Sequence, residues 1–401
     1  NLPPGTIRAE TNQGTVDLFD RLADGTVRAC WIICTNPAAS LPNRDRVIAG
    51  LRAADLVVAQ DAYADTATNR HADIVLPAAM WGEADGVMVN SERTLTLARA
   101  AVPPAGDARP DWRLICDVAA AMGFGAHFDY ADSAEVFDEL RRFANPVTGY
   151  GLRGVDYQRL SAGPVQWPCP PGDPADRHPI RYLETGRPRF PTPSGRAVFL
   201  PRPHTEPHER PDENYPLVLN TGRLPHQWHT MTKTGRVATL NRLDDGPFVE
   251  LHPDDAAALG ITDGRAVELV SRRGRVVLPA VVTDRVRPGS CFAPFHWNDV
   301  HGPDLTVNAV TSPAVDPDSL QPELKVCAVR ARPIGPAARP RARTRRLTGT
   351  GPVVLWASQT GNAERLAASF ADILAAHGVR AESAAMGDID PDELTAVSAL
   401  L

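Results

Sequence analysis

Apolar residues recur first at helical spacing and then in short unbroken runs. Val16, Leu18, Phe19 and Leu22 predict a short helix over 15–25 that ends near Gly25. Val27 to Cys34 is apolar enough for a buried strand, followed by the turn Thr35-Asn36-Pro37. Residues 44–54 return to helical spacing. Leu56 to Gln60 forms a second strand ending in Asp61, and Asp73 to Leu76 a third, stopped by Pro77. Strands alternating with helices predict a parallel sheet with crossover helices, whose ligands collect at the carboxyl ends of its strands. Asn36, Gln60 and Asp61 stand at those ends. Amphipathic helices follow at 111–123 and 133–143.

Between 146 and 214 the periodicity fades into Pro, Gly, Arg and His, which predicts an irregular connection over the surface. From Tyr215 the spacing changes to short strands at 216–220, 248–251, 266–270, 275–283, 290–293 and 325–331. One helix, His252 through Leu259, lies among them, with aspartates at its start and Gly260 at its end. Strands this dense predict a closed β-barrel. Residues 332–350 read as a Pro- and Arg-rich exposed linker. An α/β alternation then resumes, with a strand at Pro352 to Ala357, a helix at Asn362 to His377 and a second strand at Val379 to Ala384. The expected fold class is α/β: a parallel α/β sheet domain, then a double-psi-like β-barrel, then the start of a second, flavodoxin-like α/β domain. Its divisions are 1–145, 146–214, 215–331, 332–350 and 351–401. Half a doubly wound sheet is not stable alone, and the chain opens on Asn1 in mid-pattern, so a piece of a longer polypeptide is expected.

With 401 residues there is room for two or three domains. The net charge of −6 gives no reason to expect a nucleic-acid partner, so phosphate groups must be met by local cations and backbone amides. Lysine occurs only at Lys233 and Lys325, against many arginines, which makes each ammonium informative. No apolar run reaches bilayer length and no signal peptide is legible, so neither a membrane partner nor export is expected. The six cysteines form no C-x-x-C pair, so no iron–sulfur or zinc site is read in this chain. They fit a reduced, cytoplasmic thiol set, with Cys30 and Cys34 as buried core thiols.

Two segments concentrate chemistry. Ser358-Gln359-Thr360-Gly361-Asn362-Ala363-Glu364 joins a strand directly to a helix, so its hydroxyls and helix-terminal amides suit one phosphate. It has no lysine and is not a triphosphate P-loop. The bland reading is a βα turn with a capping threonine. Thr221-Gly222-Arg223, followed by His226, Trp228, His229 and Thr230, gathers hydroxyls, a guanidinium and imidazoles suited to phosphate and heteroaromatic partners. Its alternative is a set of surface polar residues on a barrel loop. As a metal site, His226-x-x-His229 lacks a third ligand at sensible spacing. Trp81 and Trp112 read as packing residues, and Glu83 and Asp85 read equally as solvated loop carboxylates or as functional ones. His296-Trp297 lies near the expected substrate funnel.

The Ser358 loop resembles the FMN-phosphate loop of flavodoxin-like domains, especially those of sulfite reductase flavoprotein subunits. That resemblance implies FMN held by Ser358, Gln359, Thr360, Gly361, Asn362 and Ala363. Residues 1–125 and 215–330 resemble the molybdopterin oxidoreductases. The marks are WIICTNPAAS from Trp31, ADIVLPAAMWGEADGVMVN from Ala72, Ser91-Glu92-Arg93 and Arg109-Pro110-Asp111-Trp112. In the barrel they are Thr221 to Thr230, Ser271 to Gly274, Asn308 to Thr311 and Pro322 to Val329. The resemblance implies molybdenum held by two molybdopterin guanine dinucleotides. Asn36, Gln60, Asp61 and Asp111 would then contact a guanine nucleotide. Thr221, Gly222, Arg223, His229, Thr230, Asn308 and Lys325 would contact its pterin and phosphate portions. Some relatives carry a lysine after the glutamate of W-x-E, where this chain has Ala84 after Glu83.

The wording CTNPAASLP and SLQPELKVCAV looks most like assimilatory nitrate reductases. This implies reduction of nitrate to nitrite with nicotinamide-derived electrons passing through flavin. A formate dehydrogenase-like enzyme and a non-catalytic electron-transfer or cofactor-binding module are the alternatives. A [4Fe–4S] cluster, FAD and NADPH are expected only in parts outside this sequence, as is the protein ligand to molybdenum, so no catalytic residue is assigned. The purified 401-residue chain is accordingly expected to reduce no nitrate with a reduced dye as donor. Nitrite formation by it would overturn that expectation.

Overall fold

The computed structural model describes residues 13–145, 148–178, 180–184, 186–243, 246–335, 351–356, 362–386 and 389. Helix α1 (Gly14–Ala23) precedes strand β1 (Ala29–Ile33), a one-turn helix α2 (Pro37–Ser40) and helix α3 (Arg44–Ala53). Strands β2 (Leu56–Asp61) and β3 (Ile74–Pro77) complete a parallel sheet in the order β1-β2-β3. Phe19 and Leu22 of α1 and Val47 and Leu51 of α3 pack on Ile32 and Val57, burying one face of the sheet. The opposite face leaves Trp31, Ile33, Leu56 and Ile74 exposed.

Strands β4 (Gly86–Val89) and β5 (Thr94–Ala98) form an antiparallel hairpin that the sequence reading did not foresee. Helices α4 (Asp111–Ala121) and α5 (Ser133–Leu140) match the two amphipathic segments. The expectation of a purely superficial connection after residue 146 needs correction. Helix α6 (Tyr157–Ala162) and strand β6 (Val165–Gln166), which pairs with β5, belong to a small core. Leu152, Val155, Leu160, Val165 and Cys169 close there around Leu95 and Phe137. These apolar residues are spaced too irregularly to declare a helix or strand, yet they suffice to bury one another.

The barrel is closed, as its strand density predicts. Its strands are β7 (Leu217–Gly222), β8 (Val249–Leu251), β9 (Ala266–Val270), β10 (Arg275–Val282), β11 (Ser290–Pro294) and β12 (Cys327–Pro333). They close in the order β7-β11-β8-β10-β9-β12, with parallel pairs β7–β11 and β8–β10. Leu219, Leu251, Leu269, Leu278, Cys291 and Val329 fill the interior. Helix α7 (Pro253–Ala258) is followed by Gly260 at φ +64, a left-handed position that favours glycine. Beyond the barrel, β13 (Val353–Trp356), α8 (Asn362–Ala376) and β14 (Glu382–Ala385) form a parallel β–α–β crossover. Ser358, Gln359, Thr360 and Gly361 lie outside the described residues, whereas Asn362 opens α8 and Ala363 is half-buried.

On the barrel wall, the buried side chain of Glu268 accepts from Arg332 and, at 3.2 Å, from Arg275. The Arg332 hydrogen bond, with Arg275 beside it, holds this carboxyl below the usual range. A depressed carboxylate contributes stability that is present above its unfolded value and lost as pH falls through the folded value. Glu268→Gln is therefore expected to lower the urea midpoint at neutral pH and to flatten its fall on acidification. Parallel midpoint-versus-pH curves for the two proteins would count against that role.

Candidate functional site

The carboxyl ends of β1 and β2 face the barrel loop that follows β7, and a cavity of about 880 Å³ lies between them. Asn36, Asp61, Asp111, His229 and Thr230, all anticipated, line it together. Asn36 is the hinge pin of this arrangement. Its Oδ1 accepts from the Thr68 hydroxyl at 2.7 Å and the Thr68 amide at 3.1 Å, while its Nδ2 donates to Thr230 Oγ1 at 3.2 Å. Thr68 Oγ1 in turn accepts from the Ala38 amide, fixing α2. Gln60 lies fully buried beneath the cavity, donating through Nε2 to Asp111 Oδ1 at 2.7 Å. Its Oε1 has no partner among the described residues.

The loop from Thr221 to Arg236 is held from several sides. The buried His296 ring spans it, accepting from the Leu224 amide at Nε2 (2.7 Å) and reaching the His229 carbonyl through Nδ1 (2.6 Å). Because Nε2 accepts, the proton sits on Nδ1 and donates to His229. His296 is thus a strut for this loop, tied at both ring nitrogens. His229 and Met231 adopt left-handed φ values of +45 and +60, turning the chain so that Thr230, Thr232 and Lys233 all reach the cavity.

The barrel-side candidates form a neighbouring cationic group. Thr221 Oγ1 donates to the Leu324 carbonyl at 2.7 Å, and Lys325 Nζ donates to the Thr221 carbonyl. Arg223 lies over the Trp228 ring at 5.9 Å. Burial, with Arg223 nearby, pushes the Lys325 ammonium and the His229 imidazole below their usual values. Gly222 has a packing reason, since a Cβ there would come within 2.5 Å of the Phe292 ring. Asn308 does not line the cavity. It is buried and donates to the Ala39 carbonyl at 2.9 Å, tying the barrel to α2.

Several residues were misread or missed. Cys34 is exposed at the cavity wall rather than buried in the core, because β1 ends at Ile33 and Cys34 turns with φ +54. Its thiol donates to Asp111 Oδ1 at 3.4 Å, and burial together with that carboxylate pushes it up to about 12. Trp81, read as packing, is 67% exposed and lines the cavity with Trp112 and Trp228. Lys233 also lines it, and only the scarcity of lysine hinted at that. Glu83 and Asp85 take local roles, accepting from the Met80 amide and from Arg99 respectively.

Residues 217–328 match the family described as molydopterin dinucleotide binding domain, and residues 4–121 match the molybdopterin oxidoreductase family. The chain belongs to the molybdopterin oxidoreductases. It is 38% identical over 341 residues to a nitrate reductase of Synechocystis sp., covering 83% of this chain and 47% of that protein. It is 35% identical to the assimilatory nitrate reductase catalytic subunit of Bacillus subtilis, covering 79% and 44%. The F420-dependent formate dehydrogenase subunit alpha of Methanocaldococcus jannaschii is 36% identical, with 76% and 43% covered. This molybdopterin oxidoreductase chain thus spans somewhat under half the length of these relatives. Acetylene hydratase from Pelobacter acetylenicus has the same fold, with a TM-score of 0.60 over 79% of this chain and 46% of that one, at 23% identity. Among the described residues no helix is long and apolar enough to cross a membrane.

The cavity fits part of a dinucleotide. Its volume lies within the range of ligand sites, and its donors and acceptors are separated along it. Asp61 and Asp111 offer acceptors at the sheet side and Lys233 a cation on the lining, while Arg223 and Lys325 belong to the neighbouring group around Thr221. Asn36→Ala removes the link between the two sides and strips Thr68 of its acceptor. It is expected to cost about 1–3 kcal/mol, read by urea unfolding. A loss of only a few tenths would mean that Asn36 is not the pin.

Proposed function

We propose that this chain supplies the guanine-dinucleotide-binding part of an assimilatory nitrate reductase, in which nitrate is reduced to nitrite. The observation that carries the proposal is the cavity between sheet and barrel, with guanine-type acceptors on its sheet side and the cationic group around Thr221 next to it. Asp61 and Asp111 are acceptors and suit the N–H edge of guanine. Asn36 positions Thr230 against the same ligand. Thr221, Arg223, His229 and Lys325 face its pterin and phosphate portions, and the indoles of Trp81, Trp112 and Trp228 limit water around it. A bound molybdenum centre supplies oxygen-atom and two-electron transfer, in the balance NO₃⁻ + 2e⁻ + 2H⁺ → NO₂⁻ + H₂O. The protein's share is to bind and orient that group.

Nitrate is favoured as substrate by the relatives named above, together with the wording at Cys34 to Pro42. Electrons are proposed to arrive through FMN at the Ser358–Ala363 loop, which the β13–α8–β14 crossover would flank. Formate dehydrogenation is the second reading, supported by the 36% identity to the Methanocaldococcus protein.

The test uses the holoenzyme that contains this chain, assayed for molybdenum, FMN and turnover. Molybdenum together with nitrate-dependent oxidation of a reduced viologen is expected. Formate-driven dye reduction with nitrate inert would replace nitrate by formate. A molybdenum-free, fully active preparation would remove the proposal altogether.

A further inference from the structure

The cavity holds an electrostatic imbalance that its assigned residues do not resolve. Its lining includes the carboxylates of Asp61, Asp85 and Asp111, and Lys233 is the only lysine or arginine among the lining residues. Asp85 is offset by Arg99 at 2.7 Å. Asp61 accepts from the Tyr63 amide, and Asp111 accepts from Gln60 and Cys34, all of them uncharged donors. Among the described residues, neither carboxylate has a basic partner within ion-pair distance, and Lys233 has no carboxylate there. The Lys233 ammonium nevertheless acts on both Asp61 and Cys34, which places it over this end of the cavity.

A diphosphate carries at least two negative charges. Entering a space that already holds two unpaired carboxylates, it is repelled unless a cation lies on the same wall. Arg223 and Lys325 belong to the group around Thr221 and do not line this cavity. We propose that Lys233 is the cationic contact for the diphosphate of the dinucleotide at the sheet side. This rests on the guanine-nucleotide reading of the same cavity. A lysine suits the role because a compact ammonium on a flexible stem acts as a point charge on phosphate. The left-handed turns at His229 and Met231 deliver it there.

The test measures calorimetric affinity of the 401-residue chain for GDP, guanosine and inorganic pyrophosphate, in wild type, Lys233→Met and Lys233→Arg. Lys233→Met is expected to weaken GDP and pyrophosphate about tenfold or more, to leave guanosine unchanged, and to be largely rescued by Lys233→Arg. Wild-type GDP affinity should also fall with added salt. As a check on location, GDP should slow alkylation of Cys34, which lines the same cavity. Equal weakening of GDP and guanosine, or no weakening of either, would overturn the assignment. Pyrophosphate binding that depends on Lys233, without guanosine binding, would keep the assignment and refute the guanine reading. Binding of none of the three probes by wild type would refute both.

Discussion

Asn36 follows β1 at the point where a parallel sheet presents the ends of its strands, and its carboxamide is shared between two bodies. One end takes both polar hydrogens of Thr68, and the other donates to Thr230 on the barrel loop. A buried amide stripped of partners loses about 1–3 kcal/mol, so neither body can shift without disrupting it. Asn308 repeats the device in the opposite direction, from the barrel to the Ala39 carbonyl. Arg44 and Asp299 add an ion pair across the same junction. The cavity is a gap of fixed width between two separately folded cores.

That gap is polarised. Carboxylates with no ion-pair partner among the described residues collect where the sheet strands end, and burial raises Asp61. Cations collect around Thr221, where burial, with Arg223 nearby, lowers Lys325 and Lys325 donates to a carbonyl. Aromatic rings flank the passage between them. Such an arrangement favours an extended ligand with hydrogen-bond donors at one end and anionic groups further along. The neutral His296 strut preserves it, since the ring is tied at both nitrogens to the backbone that carries His229.

Much of the architecture was legible because strand length and turn residues are local properties. The barrel strands fell within a few residues of their predicted bounds, and Gly260 ended its helix as expected. What could not be read depended on which apolar residues meet across space. Cys34 looked like core because its neighbours are apolar, yet one left-handed residue turned it to the cavity. Trp81 looked like packing because indoles are usually largely buried, yet in the turn before β4 it is exposed at the cavity. Asn308 stood in a family motif, but its amide went to the protein rather than to the cavity. Leu152, Val155 and Cys169 formed a core from a stretch that showed no periodicity.

The shared wall has a thermodynamic corollary. A ligand that touches both Asp61 on the sheet and His229 on the barrel acts as a staple between them. By linkage, any free energy it gains from a well-set gap is returned as resistance of that gap to opening. Loading and assembly are then a single equilibrium. The filled chain then resists opening at this junction more than the empty one, on top of the Asn36, Asn308 and Arg44 ties already present.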